Sequence, residues 1–133
     1  MTMIDTATIR PGEYPLTVRV RSHELTCDAS VAGGGQDSAP GPHDLFDSAL
    51  ATCKAMTAMW YAKRHGIPLE RVESHVESDA SHERTGTYRL RVRVELFGSL
   101  TPEQRAEVHR AIEACPIHKL MTTADIQIET VST

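Results

Sequence analysis

The segment at residues 43–65, HDLFDSALATCKAMTAMWYAKRH, constrains this chain more than any other. Leu45, Phe46, Ala49, Leu50, Cys53, Met56, Thr57 and Trp60 recur at helical spacing, and alanines fill much of the rest. No charge falls between Asp47 and Lys54. Such a helix is buried on most of its sides. Asp44 near its start suits the helix dipole, and Lys63, Arg64, Gly66 and Pro68 mark its end. With 133 residues, the chain fits a single domain over 1–133 with a modest core. A helix apolar on most sides then packs on a sheet and also on something else. A second copy of the chain is the simplest cover, so burial alone predicts a homodimer.

The other elements follow from alternation and punctuation. Residues 1–14 show little pattern and are expected to form a loosely ordered N-terminal arm. LTVRVRS alternates Leu16, Val18 and Val20 with Thr17, Arg19 and Arg21, a half-buried strand. HELTCDA continues the alternation after a tight turn, so the two read as a hairpin. VAGGGQDSAPGP is a loop, and it lacks the Lys-Ser/Thr ending of a phosphate loop. RVESHVESD and GTYRLRVRVELFG predict two strands joined by a turn at SHERTG. In the second of them Tyr88, Leu90, Val92, Val94 and Leu96 point inward. The row Arg89, Arg91, Arg93 and Glu95 forms the solvated face of an antiparallel sheet. A second helix is predicted from Thr101 as cap, with Pro102 at its first position and Gln104 completing a capping box, to Cys115 before Pro116. IHKLMTT holds a short helical turn, and DIQIETV predicts a closing strand. The order is β-β-α-β-β-α-β, an α+β fold.

Charge and composition exclude several classes. A net charge of −4 argues against general nucleic-acid binding. No apolar run approaches the roughly 18–20 residues of a membrane span. The opening MTMIDTATIRPGEYP has neither the basic nor the apolar region of a secretory signal, so a cytoplasmic location is expected. Three cysteines, Cys27, Cys53 and Cys115, do not make a secreted disulfide scaffold. In a reducing compartment a cysteine pair is catalytic, redox-active or metal-binding more often than structural. The alternative is that all three are small buried hydrophobes.

Cys53 lies mid-helix among apolar residues, where a thiol is inert unless a cation and a path to solvent are near. Cys115 sits at the break before Pro116, and 61 residues lie between the two. Cys115 and His118 have C-x-x-H spacing, but a structural zinc site usually needs four ligands in two short-spaced pairs. Cys53 has no Cys or His neighbour at that spacing. No C-x-x-C is present, which excludes a thioredoxin-type pair. Used as a hydrolytic nucleophile, Cys53 is poorly placed for an oxyanion hole. No cofactor is implied.

Two stretches taken together resemble one family. GPHDLFDSALATCKAMTAMWYAKRHGIPLERV is similar to the first-helix segment of the OsmC/Ohr family of osmotically inducible and organic-hydroperoxide-resistance proteins. LFGSLTPEQRAEVHRAIEACPIHKLM resembles the second half of that family, with Cys-Pro-x-His in place, and HELTCDASVAGGGQDSAPGPHDL resembles the Gly-rich approach of its OsmC-like branch. The resemblance covers roughly residues 15 to 130. It implies an intertwined α+β homodimer, with two main helices against curved antiparallel sheets. Each of two active sites would draw on both subunits. It also implies a thiol peroxidase. Cys53 would attack an organic hydroperoxide, Cys115 would resolve the sulfenic acid as a disulfide, and a dithiol would restore both. The acid that holds the activating arginine in the family falls by position on His43 or, preferably, Asp44. The arginine itself is expected from the first hairpin, with Arg19 and Arg21 as candidates. Leu50, Met56 and Trp60 would line an apolar pocket suited to a bulky or fatty-acyl peroxide. On the same fold the alternative is a non-enzymatic dimer that binds an apolar ligand or senses redox state.

Overall fold

The structure, a computed structural model, describes residues 1–133. It falls into two compact units, Met1–Phe46 and Asp47–Thr133. The first is a three-stranded antiparallel sheet in the order β1-β2-β3: β1 (Ile4–Thr8), β2 (Leu16–Val20) and β3 (His23–Cys27). The hairpin expected at residues 16–27 is β2 and β3, paired from Leu16 with Cys27 to Val20 with His23. Its tip holds Arg21 at φ 54, a left-handed conformation uncommon for any residue but glycine, asparagine or aspartate. β1 is a departure from the expected loose arm. Its five residues, IDTAT, are all exposed, so no burial period announces them. The strand exists because β2 offers a second edge, and Ile4 pairs with Val20 through to Thr8 with Leu16.

The loop after β3 is organised by Asp28, which is 3% exposed. Its carboxylate accepts from the backbone N–H of Ala29, Gln36 and Ser38 and from the Ser38 hydroxyl, at 2.7–3.1 Å. The Ser38 hydroxyl first, and then these N–H groups, hold the Asp28 carboxyl down at about 2.

The second unit is built on α1 (Pro42–Arg64), whose first residues belong to the first unit. The helix stops as the sequence predicts: Gly66 takes φ 64, and Ile67 N–H closes on Ala62 O at 2.9 Å. β4 (Leu69–Asp79) and β5 (Arg89–Gly98) form a long antiparallel ribbon. Arg89, Arg91 and Arg93 stand exposed, with Leu90, Val92 and Val94 on the more buried side, as the alternation predicts. Gly98, at φ 141, ends β5 where a Cβ would lie 2.3 Å from Pro68 O, so no side chain fits there. α2 (Pro102–Ile112) carries the expected capping box between Thr101 and Gln104. Arg105 fastens it to the end of β5 by donating to Leu96 O at 2.7 Å.

The core joins Ala58 and Ala62 of α1 to Ile67, Leu69, Leu96, Val108 and Ile112. The buried stripe of α1 is Leu50, Lys54, Ala58 and Ala62, at strict four-residue spacing. Burial on most sides is therefore not what a single chain shows. Met56 is 71% exposed and Trp60 58%. α2 also ends earlier than expected, at Ile112 rather than Cys115. Pro116 starts a new helix, α3 (Pro116–Thr122), at whose first position a missing N–H costs nothing. Residues 124–133 form no strand, and Ile126 and Ile128 are exposed, although they alternate. Alternation describes which residues a strand would bury; a strand also needs an edge to pair with.

Candidate active site

Cys53 lies on α1 in the turn between the buried Leu50 and Ala58, and is itself half-buried. Cys115 is the cap of α3 and is fully buried. Its place follows from local chemistry. Cys115 N–H closes the end of α2 on Ile112 O at 3.1 Å. Pro116 then forces a new start, and Cys115 Sγ accepts from His118 N–H at 3.4 Å. The thiol thus takes the position that Ser or Thr oxygens usually hold at a helix start.

The two thiols meet. Burial pushes the Cys115 thiol up, and the neighbouring Cys53 thiol pushes the same way. The N–H groups of His118 and Ile117 oppose this in part. Cys115 is therefore held in its protonated form. Both are free thiols here.

A third group stands beside them. Lys54, the residue after Cys53, is buried at 5% exposure. Its Nζ donates to His118 Nδ1 at 3.0 Å and to Ile112 O at 3.4 Å. An ammonium has only donors, so His118 Nδ1 accepts and the ring proton sits on Nε2. The half-motif Cys115-x-x-His118 is thereby used internally. The backbone of His118 caps the thiol and its ring holds a lysine. Sequence reasoning weighs His118 only as half of a zinc motif and sets Lys54 aside because the next residue on a helix points about 100° away from Cys53; it assigns neither a place beside the thiols. The signal that could have found Lys54 is its place on the stripe Leu50–Lys54–Ala58–Ala62.

The remaining predicted residues are placed as follows. Arg19 is exposed and pairs with Glu24 across the hairpin at 3.0 Å. Arg21 is at the hairpin tip. Asp44 Oδ2 accepts from Gly41 N–H at 2.8 Å, closing the first turn of α1 in the manner of an N-terminal cap. Leu50 is buried, whereas Met56 and Trp60 face outward, Trp60 with the Arg64 guanidinium 5.1 Å over its ring. Away from the thiols, Glu73, His75 and Glu95 gather on the β4–β5 ribbon, where Arg71 pairs with Glu73 and Arg93 with Glu95. No helix is long and apolar enough to cross a membrane.

The chain matches the OsmC-like protein family over residues 34–131, and it belongs to that family. A sequence comparison with curated proteins finds no match. Among solved structures it is similar to an OsmC-like protein of Mycoplasma pneumoniae, at 19% identity and a TM-score of 0.72, covering 92% of this chain and 88% of that one. It is similar to the organic hydroperoxide resistance protein OsmC of Legionella pneumophila, at 25% identity and a TM-score of 0.63, covering 92% and 90%. It is also similar to the organic hydroperoxide resistance protein OhrB of Bacillus subtilis, at 20% identity and a TM-score of 0.61, covering 92% and 91%. The likenesses below 25% identity establish a shared fold.

Proposed function

We propose that this protein is a thiol-dependent peroxidase that reduces organic hydroperoxides, bulky or fatty-acyl ones among them, in defence against oxidative stress. Family membership and the hydroperoxide resistance proteins among its structural relatives support a peroxide-related role. The observation that carries the mechanism is that the buried Cys115 thiol has the half-buried Cys53 thiol as its neighbour. Cys53, the more accessible, attacks the distal oxygen of the hydroperoxide as thiolate. The O–O bond breaks, Cys53 becomes a sulfenic acid, and an alcohol leaves. Cys115 then attacks the Cys53 sulfur, forming a disulfide and releasing water. A small or protein dithiol returns both to thiols.

In this reading Asp44 and an arginine of the first hairpin, Arg19 or Arg21, remain the candidates for the activating pair. Leu50, Met56 and Trp60 receive the apolar part of the peroxide, and the protein works as a cytoplasmic homodimer. The outward-facing Met56 and Trp60 support that last step, since large apolar side chains so exposed on one helix face suit a partner. The test is consumption of cumene hydroperoxide by reduced protein with a dithiol. Parent protein turns it over, and Cys53→Ser does not. A Cys53→Ser protein as fast as the parent removes Cys53 from the mechanism. Binding of apolar ligands with no peroxide turnover would favour the dimer as a binding or redox-sensing protein.

A further inference from the structure

A lysine on the buried stripe of a helix is costly, because an ammonium loses its hydration there. Lys54 has no carboxylate to offset that loss. Its partners are the Ile112 carbonyl, at the C-terminal end of α2 where the helix dipole is negative, and the Nδ1 of His118. A methionine of similar length would fill the same stripe without a charge. What the charge gains is visible in what its two partners also do. Ile112 O is the acceptor for Cys115 N–H, at 3.1 Å. His118 N–H donates to Cys115 Sγ, at 3.4 Å. Lys54 therefore holds the residue that fixes the Cys115 backbone and the residue that fixes the Cys115 sulfur. Its own backbone is bonded directly to Cys53 on α1.

We propose that Lys54 is a positioning residue for the thiol pair, a clamp from α1 onto both flanks of Cys115 that sets where the buried thiol sits against Cys53. The clamp deepens the peroxidase reading and, for its role in resolving a sulfenic acid, rests on it. Its effect is geometric. Burial keeps the reduced Cys115 protonated, so the ammonium has no thiolate there to favour. Holding one thiol at the other raises its effective concentration, and this favours disulfide formation. The His118 ring takes part as an acceptor, which an imidazolium cannot be.

The test is dithiol–disulfide exchange on the full-length protein, with no peroxide involved. Oxidised dithiothreitol plus the Cys53 and Cys115 thiols gives the protein disulfide plus reduced dithiothreitol. The equilibrium constant is read by thiol alkylation and mass. Lys54→Met and His118→Leu each lower that constant at least about tenfold, which is about 30 mV toward a more oxidising couple. His118→Asn, whose side-chain oxygen replaces Nδ1 as acceptor, stays within about threefold of the parent. Should Lys54→Met not fold, the contrast between His118→Leu and His118→Asn carries the test. Equal constants in the parent, Lys54→Met and His118→Leu overturn the clamp. So does a loss in His118→Asn as large as that in His118→Leu, which assigns the effect to ring packing. A parent that forms this disulfide but consumes no hydroperoxide overturns the peroxidase reading and leaves the clamp standing. A parent that forms no disulfide even with diamide overturns both.

Discussion

At the scale of single residues, the two thiols differ in access. Cys53 is half-buried; Cys115 is buried, and burial holds its thiol protonated. In the proposed mechanism the more accessible thiol reacts first. With Cys115→Ser, one equivalent of cumene hydroperoxide oxidises Cys53 and the sulfenic acid persists. Dimedone then traps close to one equivalent per chain by mass, against a small fraction in the parent. Equal trapping in both proteins would remove Cys115 from the resolving step. Both cysteines were legible in the sequence, because one precedes a proline and the other interrupts an alanine-rich helix. Their meeting was expected only through the family resemblance, since 61 intervening residues leave it to the fold. The contact between Lys54 and His118 was not legible. Their role depends on the end of α2 falling at Ile112, where a carbonyl and a ring nitrogen come within reach of one side chain.

Asp28 is the other residue whose environment sets a measurable quantity. Its carboxyl is held at about 2, from an ordinary 3.8, chiefly by the Ser38 hydroxyl. A folded-state value below the unfolded one means that the unfolded chain binds the proton more tightly. The contribution is therefore present above about pH 3.8 and is lost as pH falls toward 2. Asp28→Asn should lower the melting temperature at pH 7 and reduce its drop between pH 5 and 2.5. Thermal unfolding of the two proteins over that range checks it. Parallel melting curves would mean that the carboxylate does not organise the loop.

Among the elements, the clearest in sequence were those with chemistry at their ends. The Thr101–Gln104 capping box and Pro102 place the start of α2 to the residue, and both halves of the box form, at 3.1 Å and 2.9 Å. Thr101→Ala should cost about 1 kcal/mol, and Thr101→Ser at most a few tenths. Urea midpoints at unchanged slope report the difference. An alanine variant as stable as the parent would show that the fastening of Arg105 to Leu96 O holds the helix start by itself. Elements without such ends were misread in both directions. β1 has five exposed residues and no period, yet it forms because an edge is open to it. Residues 125–131 have the period and no edge within the chain. Hydrophobic pattern reports a face, whereas backbone pairing decides whether a strand exists.

At the scale of the whole molecule, α1 poses the question with which the sequence began. One stripe, Leu50 through Ala62, is buried, and Ala58 and Ala62 reach the core. On the rest of the helix, Met56 and Trp60 are 71% and 58% exposed. The expectation of a helix apolar on most sides thus divides into a half that the chain covers itself and a half that a second copy would cover. Burial at roughly 25 cal/mol per Å² makes a tryptophan the largest single contribution such a face can offer. Trp60→Glu puts a carboxylate there in its place. It should weaken self-association by at least about 2 kcal/mol, roughly thirtyfold in dissociation constant, as truncations at interface hot spots do. The same change should leave the fold of the second unit intact, because Trp60 is outside its core. Sedimentation velocity over a dilution series, with circular dichroism on the same samples, separates the two effects. A parent that is monomeric throughout, or a Trp60→Glu protein that dimerises as tightly as the parent, would place the partner face elsewhere on the chain.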